Sequence, residues 1–340
     1  MSKVYFKRVP QKDNKAFGEI AKELLKKIAE EADYQWEKTV PIKVHFGEKG
    51  NKTFLKPECY DGMIEYLNDH GVDSAFIETN VLYRGARQTS TSHKNLAGSH
   101  GFTQLPIIIA DGEYGDEYTD VEINKEIIDV CKIGKGFAAY KQYLIVSHFK
   151  GHIIAGFGGA MKQLAMGFAS RGGKLAQHSK MIPEVEASEC TNCGMCAKKC
   201  SFDAIEIGDV ALVDKVKCSG CAGCIAVCPV GAIKFDWNGK NFKEKIAEYA
   251  YGASVGKQNI YISFLTDITK ECDCMGTVME PITEDIGIFV GWDPVAIDAA
   301  CLDLLQEESG HHHFDSGRKT IDHAVKIGLG SKEYQLIEVE

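Results

Sequence analysis

Nowhere in the 340 residues does an apolar run approach the roughly 20 positions that a bilayer-spanning helix needs. The first ten residues carry Lys3, Lys7 and Arg8 with no apolar stretch behind them, so the pattern of a secretory leader is missing too. Excess positive charge is also lacking. The formal net charge of -9 argues against a general nucleic-acid or anionic-membrane partner, because both demand a basic face. The glycine-rich segment 156–162 matches neither the dinucleotide fingerprint nor a Walker loop. These absences lead to the expectation of a cytoplasmic protein in a reducing compartment. The composition, 44% hydrophobic and 26% charged, is that of an ordinary folded chain long enough for one large or two medium domains.

Cysteine, by contrast, is abundant. Eight of the thirteen fall within residues 190–228 in two runs, Cys190, Cys193, Cys196, Cys200 and Cys218, Cys221, Cys224, Cys228, each reading C-x2-C-x2-C-x3-C. Soft thiolates suit iron bound to sulfide, and three cysteines on a tight loop at this spacing converge on three corners of one 4Fe-4S cluster, with the fourth ligand supplied from elsewhere. Structural zinc modules also use paired cysteines, but they separate two C-x2-C pairs by a longer loop and need no third cysteine. Disulfides fit less well, given the odd cysteine total. Gly194, Gly220, Gly223 and Ser219 are small, which leaves backbone amides free to approach the sulfurs.

A short strand-like segment follows each run, at 204–207 and 232–235. This repeat of ligand loop and strand resembles the bacterial two-cluster ferredoxin module over about residues 183–237, with Ser201 standing where that family has its first proline. The resemblance implies crossed ligation, with Cys190, Cys193, Cys196 and Cys228 on one cluster and Cys218, Cys221, Cys224 and Cys200 on the other. Two exposed clusters would suit an anaerobic or low-oxygen host.

Outside this stretch, strand and helix patterns alternate. Residues 17–36 are amphipathic and helical, with Phe17, Ile20, Leu24, Leu25 and Ile28 on one face, and 40–46 alternates as a strand. Residues 57–70 read as a helix, 73–78, 105–110 and 140–148 as strands, and 79–100 as a loop. A helix at about 160–169 follows a glycine-rich turn, an arrangement suited to an anion site at its N-terminus. Further strands are expected at 260–265, 286–290 and 334–339, and helices at 294–305, capped by Asp293, and 320–327. The expectation is an α/β fold with a mixed or largely parallel sheet layered with helices, interrupted by a small α+β two-cluster ferredoxin-like domain. Residues 1–182 and 238–340 would form the discontinuous body and 183–237 the insert.

The segments His148-Phe149-Lys150-Gly151-His152, 156–171, Asp267 with Cys272-Asp273-Cys274, Asp293-Pro294 and Phe314-Asp315 are together similar to the DUF362 family of iron-sulfur proteins. That resemblance spans nearly the whole chain and implies fold and clusters while leaving the substrate open. In the body, His148, Lys150, His152, Asp267, Cys272 and Cys274 are candidate catalytic residues, forming either an acid/base pocket or a mixed-ligand site for one further metal ion at His148, Cys272 and Cys274. Arg84, Arg87, Lys162 and Arg171, with Lys174, concentrate positive charge around glycine-rich loops and are candidates to hold an anionic substrate or cofactor. The expected role is passage of single electrons through two 4Fe-4S clusters to or from a site in the body. The other party would be a docked redox protein or a small-molecule donor or acceptor. A non-catalytic carrier or assembly module, and a metalloenzyme using its clusters structurally, are the competing readings.

Overall fold

The computed structural model describes residues 1–178, 182–218, 220–234 and 240–340, so Ser219 and Phe235 lie outside the described residues. Eight strands build the main sheet: β1 (Ser2–Arg8), β2 (Ile42–Lys43), β3 (Phe76–Glu78), β4 (Ile107–Ile109), β5 (Gln142–His148), β6 (Gln258–Leu265), β7 (Gly287–Gly291) and β8 (Tyr334–Glu338). Their spatial order is β8-β1-β7-β6-β5-β2-β3-β4. All run the same way except β7, which is antiparallel to both β6 and β1. The fold is therefore α/β with a largely parallel sheet.

Every residue of β5 is buried, because helices cover both faces. Leu144 and Val146 pack with Leu24, Leu25 and Ile28 of the helix Asn14–Glu31. Tyr143 and Ile145 point the other way, into a core built with Leu164 and Phe168 of the helix Ala160–Phe168, Ala250 of Phe242–Ser254 and Val295 of Pro294–Ser309. Asp293 caps that last helix, its Oδ1 accepting from Val295 N (2.9 Å) and Ala296 N (3.1 Å), with Pro294 pre-set in the first turn.

From β2 the chain steps outward to β3 and β4, then returns to lay β5 on the other side of β2. In an open parallel sheet such a reversal leaves a crevice outside the carboxyl ends of the two diverging strands. Several elements depart from expectation, among them the helix Phe242–Ser254 and the hairpin of Tyr118–Glu122 with Val130–Gly134, which no pattern announced. Residues 2–8 form a strand paired across the whole length of the chain with Gly287–Gly291 and Tyr334–Glu338, and the stretch read as a loop contains the helix Ser90–Ser99, opened by a capping box between Thr89 and Ser92.

The cysteine-rich stretch folds as two short helices, Met195–Lys199 and Gly223–Val227, with the hairpin Ile205–Ile207/Ala211–Val213. Glu184–Val185 pairs antiparallel with Ile233–Lys234, bringing its two ends side by side. Its small core of Cys196, Ile205, Ile225 and Ile233 is completed by Leu82 and Leu175 from the body.

Candidate functional site

Both ligand runs have the same local build. Each leads into its five-residue helix from a left-handed residue, Gly194 (φ 71°) and Ala222 (φ 61°), so the loop turns back on itself before the helix starts. At the end of each run a backbone amide donates to the last sulfur, Ala204 N to Cys200 Sγ (3.3 Å) and Ala232 N to Cys228 Sγ (3.2 Å). Cys190, Cys193, Cys196 and Cys228 line one small cavity, although Cys228 is 32 residues or more from the other three in sequence. Amides of Ala211 and Asn192 hold the Cys190 thiol below its ordinary range. Burial pushes Cys224 up, with Cys221, Cys218, Cys196 and Cys200 nearby adding to the rise. An all-sulfur donor set with amides aimed at the sulfurs fits iron-sulfur ligation.

The second feature is a cavity of about 800 Å³ in the crevice between β2 and β5. Its walls carry His45 from just beyond β2, Glu78 and Thr79 from the end of β3, and Ser147, His148 and Lys150 from the end of β5. The loop after β6 adds Cys272, Asp273 and Cys274, and the helices Ala160–Phe168 and Arg171–His178 add Lys162 and Lys174. Gly151 lets this wall close, because a Cβ there would meet the Lys270 carbonyl oxygen at 2.0 Å.

Charge in the cavity is organised around three buried acids. Asp273 Oδ2 accepts from Lys150 Nζ and faces His148 Nδ1 at 3.0 Å, while His148 Nε2 lies 2.6 Å from the Thr266 carbonyl. Burial raises the Asp273 carboxyl, but the charges of Lys150 and His148 outweigh it and hold the group below the usual carboxylate range. Glu48 receives Arg87 Nε (3.1 Å) and Tyr83 Oη (2.9 Å), and Arg87 Nη1 also reaches His45 Nε2 at 2.8 Å. Lys43, fully buried in β2, is held by Glu78 Oε1 (2.9 Å) and the Val44 carbonyl (2.7 Å). Among the described residues the hydrogen-bond partners of Lys174 Nζ are the neutral Thr79 Oγ1 and Ala169 carbonyl, both at 2.6 Å, and burial brings its pKa down to about 8. Cations outnumber the acids that neutralise them, so the cavity is suited to an anionic guest.

Of the candidate residues, His148, Lys150, His152, Cys272, Cys274, Arg87 and Lys162 meet around this cavity. Asp267 does not line it. It sits on a left-handed turn (φ 42°) with its amide bonded to Asp285 Oδ1. Arg171 is buried elsewhere, clipping the Tyr114 and Leu82 carbonyls at 2.9 and 3.3 Å, and Arg84 reaches across to the Pro229 carbonyl at 2.8 Å. Among the described residues no three His, Cys, Asp or Glu side chains converge on a single metal ion. The physical reason at His148 is that both ring nitrogens are engaged with protein oxygens, which leaves no lone pair for a metal shared with Cys272 and Cys274. Nor is the N-terminus of Ala160–Phe168 open to an anion, because Asp298 already accepts from Ala160 N (2.7 Å) and Met161 N (2.9 Å). Lys43, His45, Tyr83 and Glu78 were not anticipated. A lysine within an alternating strand reads as a solvent-facing residue, and only two-sided coverage of the sheet turns it into a buried charge.

The two features touch. A Cβ on Gly172 would lie 2.5 Å from the Gly220 carbonyl oxygen and 2.9 Å from Cys221 Cα, so the helix that carries Lys174 packs backbone to backbone on the second ligand loop. Leu82 lines the cavity and packs into the core of the cysteine-rich module, and Gln88 Nε2 donates to the Ala226 carbonyl.

Comparison with known proteins divides along the same line. The chain is 38% identical over 69 residues to an uncharacterized ferredoxin-like protein of Haemophilus influenzae, a stretch amounting to 18% of this chain and 80% of that protein. It is 40% identical over 52 residues to Ferredoxin-1 of Chlorobaculum tepidum, covering 13% of this chain and 84% of the ferredoxin. These relatives support a ferredoxin-type iron-sulfur module with an electron-carrier role. A crystal structure of a Thermotoga maritima protein superposes with a TM-score of 0.41 at 9% identity over 92% of this chain and 59% of that one, a likeness too weak to bear on function. No helix among the described residues is long and apolar enough to cross a membrane. A family model described as a domain of unknown function, DUF362, matches residues 40–303, and the chain belongs to that family.

Proposed function

We propose that this chain is an iron-sulfur redox protein in which an inserted module, residues 183–237, holds two 4Fe-4S clusters serving the cavity of the surrounding α/β body. Cys190, Cys193, Cys196 and Cys228 would hold one, and Cys218, Cys221, Cys224 and Cys200 the other. Such clusters supply one-electron transfer when bound. The chain's own part is to ligate them, to aim the Ala204 and Ala232 amides at sulfur and so tune the potential, and to hold an anionic reactant with Lys150, Lys162 and Arg87. The observation that carries the reading is the close backbone approach of Gly172 to Gly220 and Cys221, which sets the second ligand loop against the helix whose Lys174 lines the cavity. A soluble electron donor or acceptor protein would dock on the outer side of the module, where Cys193 is exposed.

Anaerobic reconstitution followed by iron and sulfide analysis tests the proposal. About eight irons and eight sulfides per chain are expected from two cubane clusters. Four or none, or zinc in place of iron, would overturn it.

A further inference from the structure

The loop after β6 places Cys272 and Cys274 on one four-residue turn, closed by the bond from Met275 N to the Cys272 carbonyl (3.0 Å). The turn is clamped from outside. Glu48 N donates to the Asp273 carbonyl (2.9 Å) and Asn51 Nδ2 to the Met275 carbonyl (3.1 Å), and Tyr83 Oη lies 3.3 Å from the Cys274 carbonyl. Asp273 between the cysteines is anchored in the opposite direction by Lys150 and His148, so the two thiols fall on the same side of the turn. Both cysteines line the cavity. Consecutive Cα atoms lie 3.8 Å apart, so two residues separated by one in a tight turn have Cα atoms about 5–6 Å apart, inside the range that a disulfide spans.

The two sulfurs are not equivalent. Cys272 is buried (6% exposed), whereas Cys274 is half-buried with His45 Nε2 3.7 Å from its Sγ. Lys162 on the facing helix adds positive charge to the same wall. We infer that Cys272 and Cys274 form a redox-active dithiol that reduces a small anionic disulfide bound in the cavity, with Cys274 as the attacking sulfur and Cys272 as the resolving one. Cys274 attacks one sulfur of the guest, its S–S bond breaks, and a mixed disulfide forms as the first thiol leaves. Cys272 then attacks Cys274 Sγ, the mixed disulfide breaks, and the second thiol leaves. The two protons of the cysteine thiols end on the two departing thiols, and two electrons pass from the protein dithiol to the guest. The neighbouring Cys272 and Lys162 hold Cys274 well below the ordinary thiol range, while Cys274 and burial hold Cys272 above it, the polarity that this sequence requires. Reopening the protein disulfide takes two electrons and two protons. For that source alone the inference rests on the iron-sulfur reading above, with two one-electron centres matching one two-electron couple.

The test uses the full-length protein as isolated under anaerobic conditions, with 5,5′-dithiobis(2-nitrobenzoate) as the anionic disulfide, followed by alkylation and peptide mass mapping. Wild type is expected to join Cys272 to Cys274 with loss of two hydrogens and to retain no thionitrobenzoate on either. Cys272→Ser should trap the adduct on Cys274, and Cys274→Ser should leave Cys272 unmodified, each with unchanged iron content and circular dichroism. The inference is overturned if wild type shows no Cys272–Cys274 linkage, or if Cys272 in Cys274→Ser takes the adduct as readily as Cys274 does in Cys272→Ser. Protein lacking iron that still forms the linkage keeps this inference and sinks the cluster reading, and the reverse result does the opposite.

Discussion

Replacing Lys150 with methionine would strike the charge arrangement on which the cavity wall depends. The Lys150, Asp273 and His148 side chains are 6%, 2% and 3% exposed, so neither water nor salt can take over what the ammonium does. Methionine fills much the same volume, which confines the change to charge. Among the described residues Asp273 would then keep only His148 as a hydrogen-bond partner, with its Oδ1 already lacking one. Stranding a buried carboxylate in this way costs about 3–5 kcal/mol, or about 4–7 °C in Tm for a chain of this size. The pH dependence gives the sharper readout. In wild type the folded Asp273 value lies below the unfolded one, so its contribution is present above about pH 4 and is lost only as pH falls toward the folded value. Without Lys150, burial dominates and lifts the folded value above the unfolded one. The sign then inverts: the variant should lose stability as pH rises from about 4 toward neutrality, and adding Asp273→Asn should remove that slope. Urea unfolding followed by circular dichroism between pH 5 and 7.5 measures both. A loss under about 1 kcal/mol with an unchanged slope would show that the buried ion pair is not as described.

Gly172→Leu should separate the module from the body, because even a Cβ meets the Gly220 carbonyl at 2.5 Å and neither backbone can yield. Limited proteolysis that releases the cysteine-rich stretch should speed up several-fold while the body's circular dichroism persists, and unchanged cleavage would count against the docking. Asp298 is fully buried with its pKa pushed up to about 7 by burial, above its unfolded value, so wild type should lose stability as pH rises from about 4 through 7. Asp298→Asn should abolish about 2–3 kcal/mol of that change between pH 5 and 8, as read by chemical denaturation, and parallel pH profiles would refute it. Arg87→Lys keeps a charge but cannot serve Glu48 and His45 from one planar fork. It should weaken binding of an anionic guest about tenfold in titration calorimetry, and unaltered affinity would remove Arg87 from the guest site.

Much of this arrangement was legible in the residues, for local reasons. The cysteine spacing, the apolar run that becomes β5 and the Asp293-Pro294 helix start all act over a few positions. β1 was not legible, because it is defined by partners almost the whole chain away. The helix Ser90–Ser99 hid in a polar run, where its Thr89 cap resembles ordinary loop chemistry and only His93, Leu96 and Ala97 are buried. At the site, His148, Lys150 and Cys272 could be picked out as reactive types, but their meeting is tertiary. Arg84, Arg87 and Arg171 look alike in sequence, yet one grips the cysteine-rich module, one organises the cavity through Glu48 and one braces loops. Burial and partner geometry distinguish them, and neither is written in local pattern.

The central claim, that this chain carries two redox-active clusters rather than structural metal, is met most directly by electron paramagnetic resonance of the dithionite-reduced protein with spin integration. Two magnetically interacting centres totalling about two unpaired spins per chain are the predicted result. A single uncoupled spin, or a silent spectrum from a protein loaded with zinc, would contradict it.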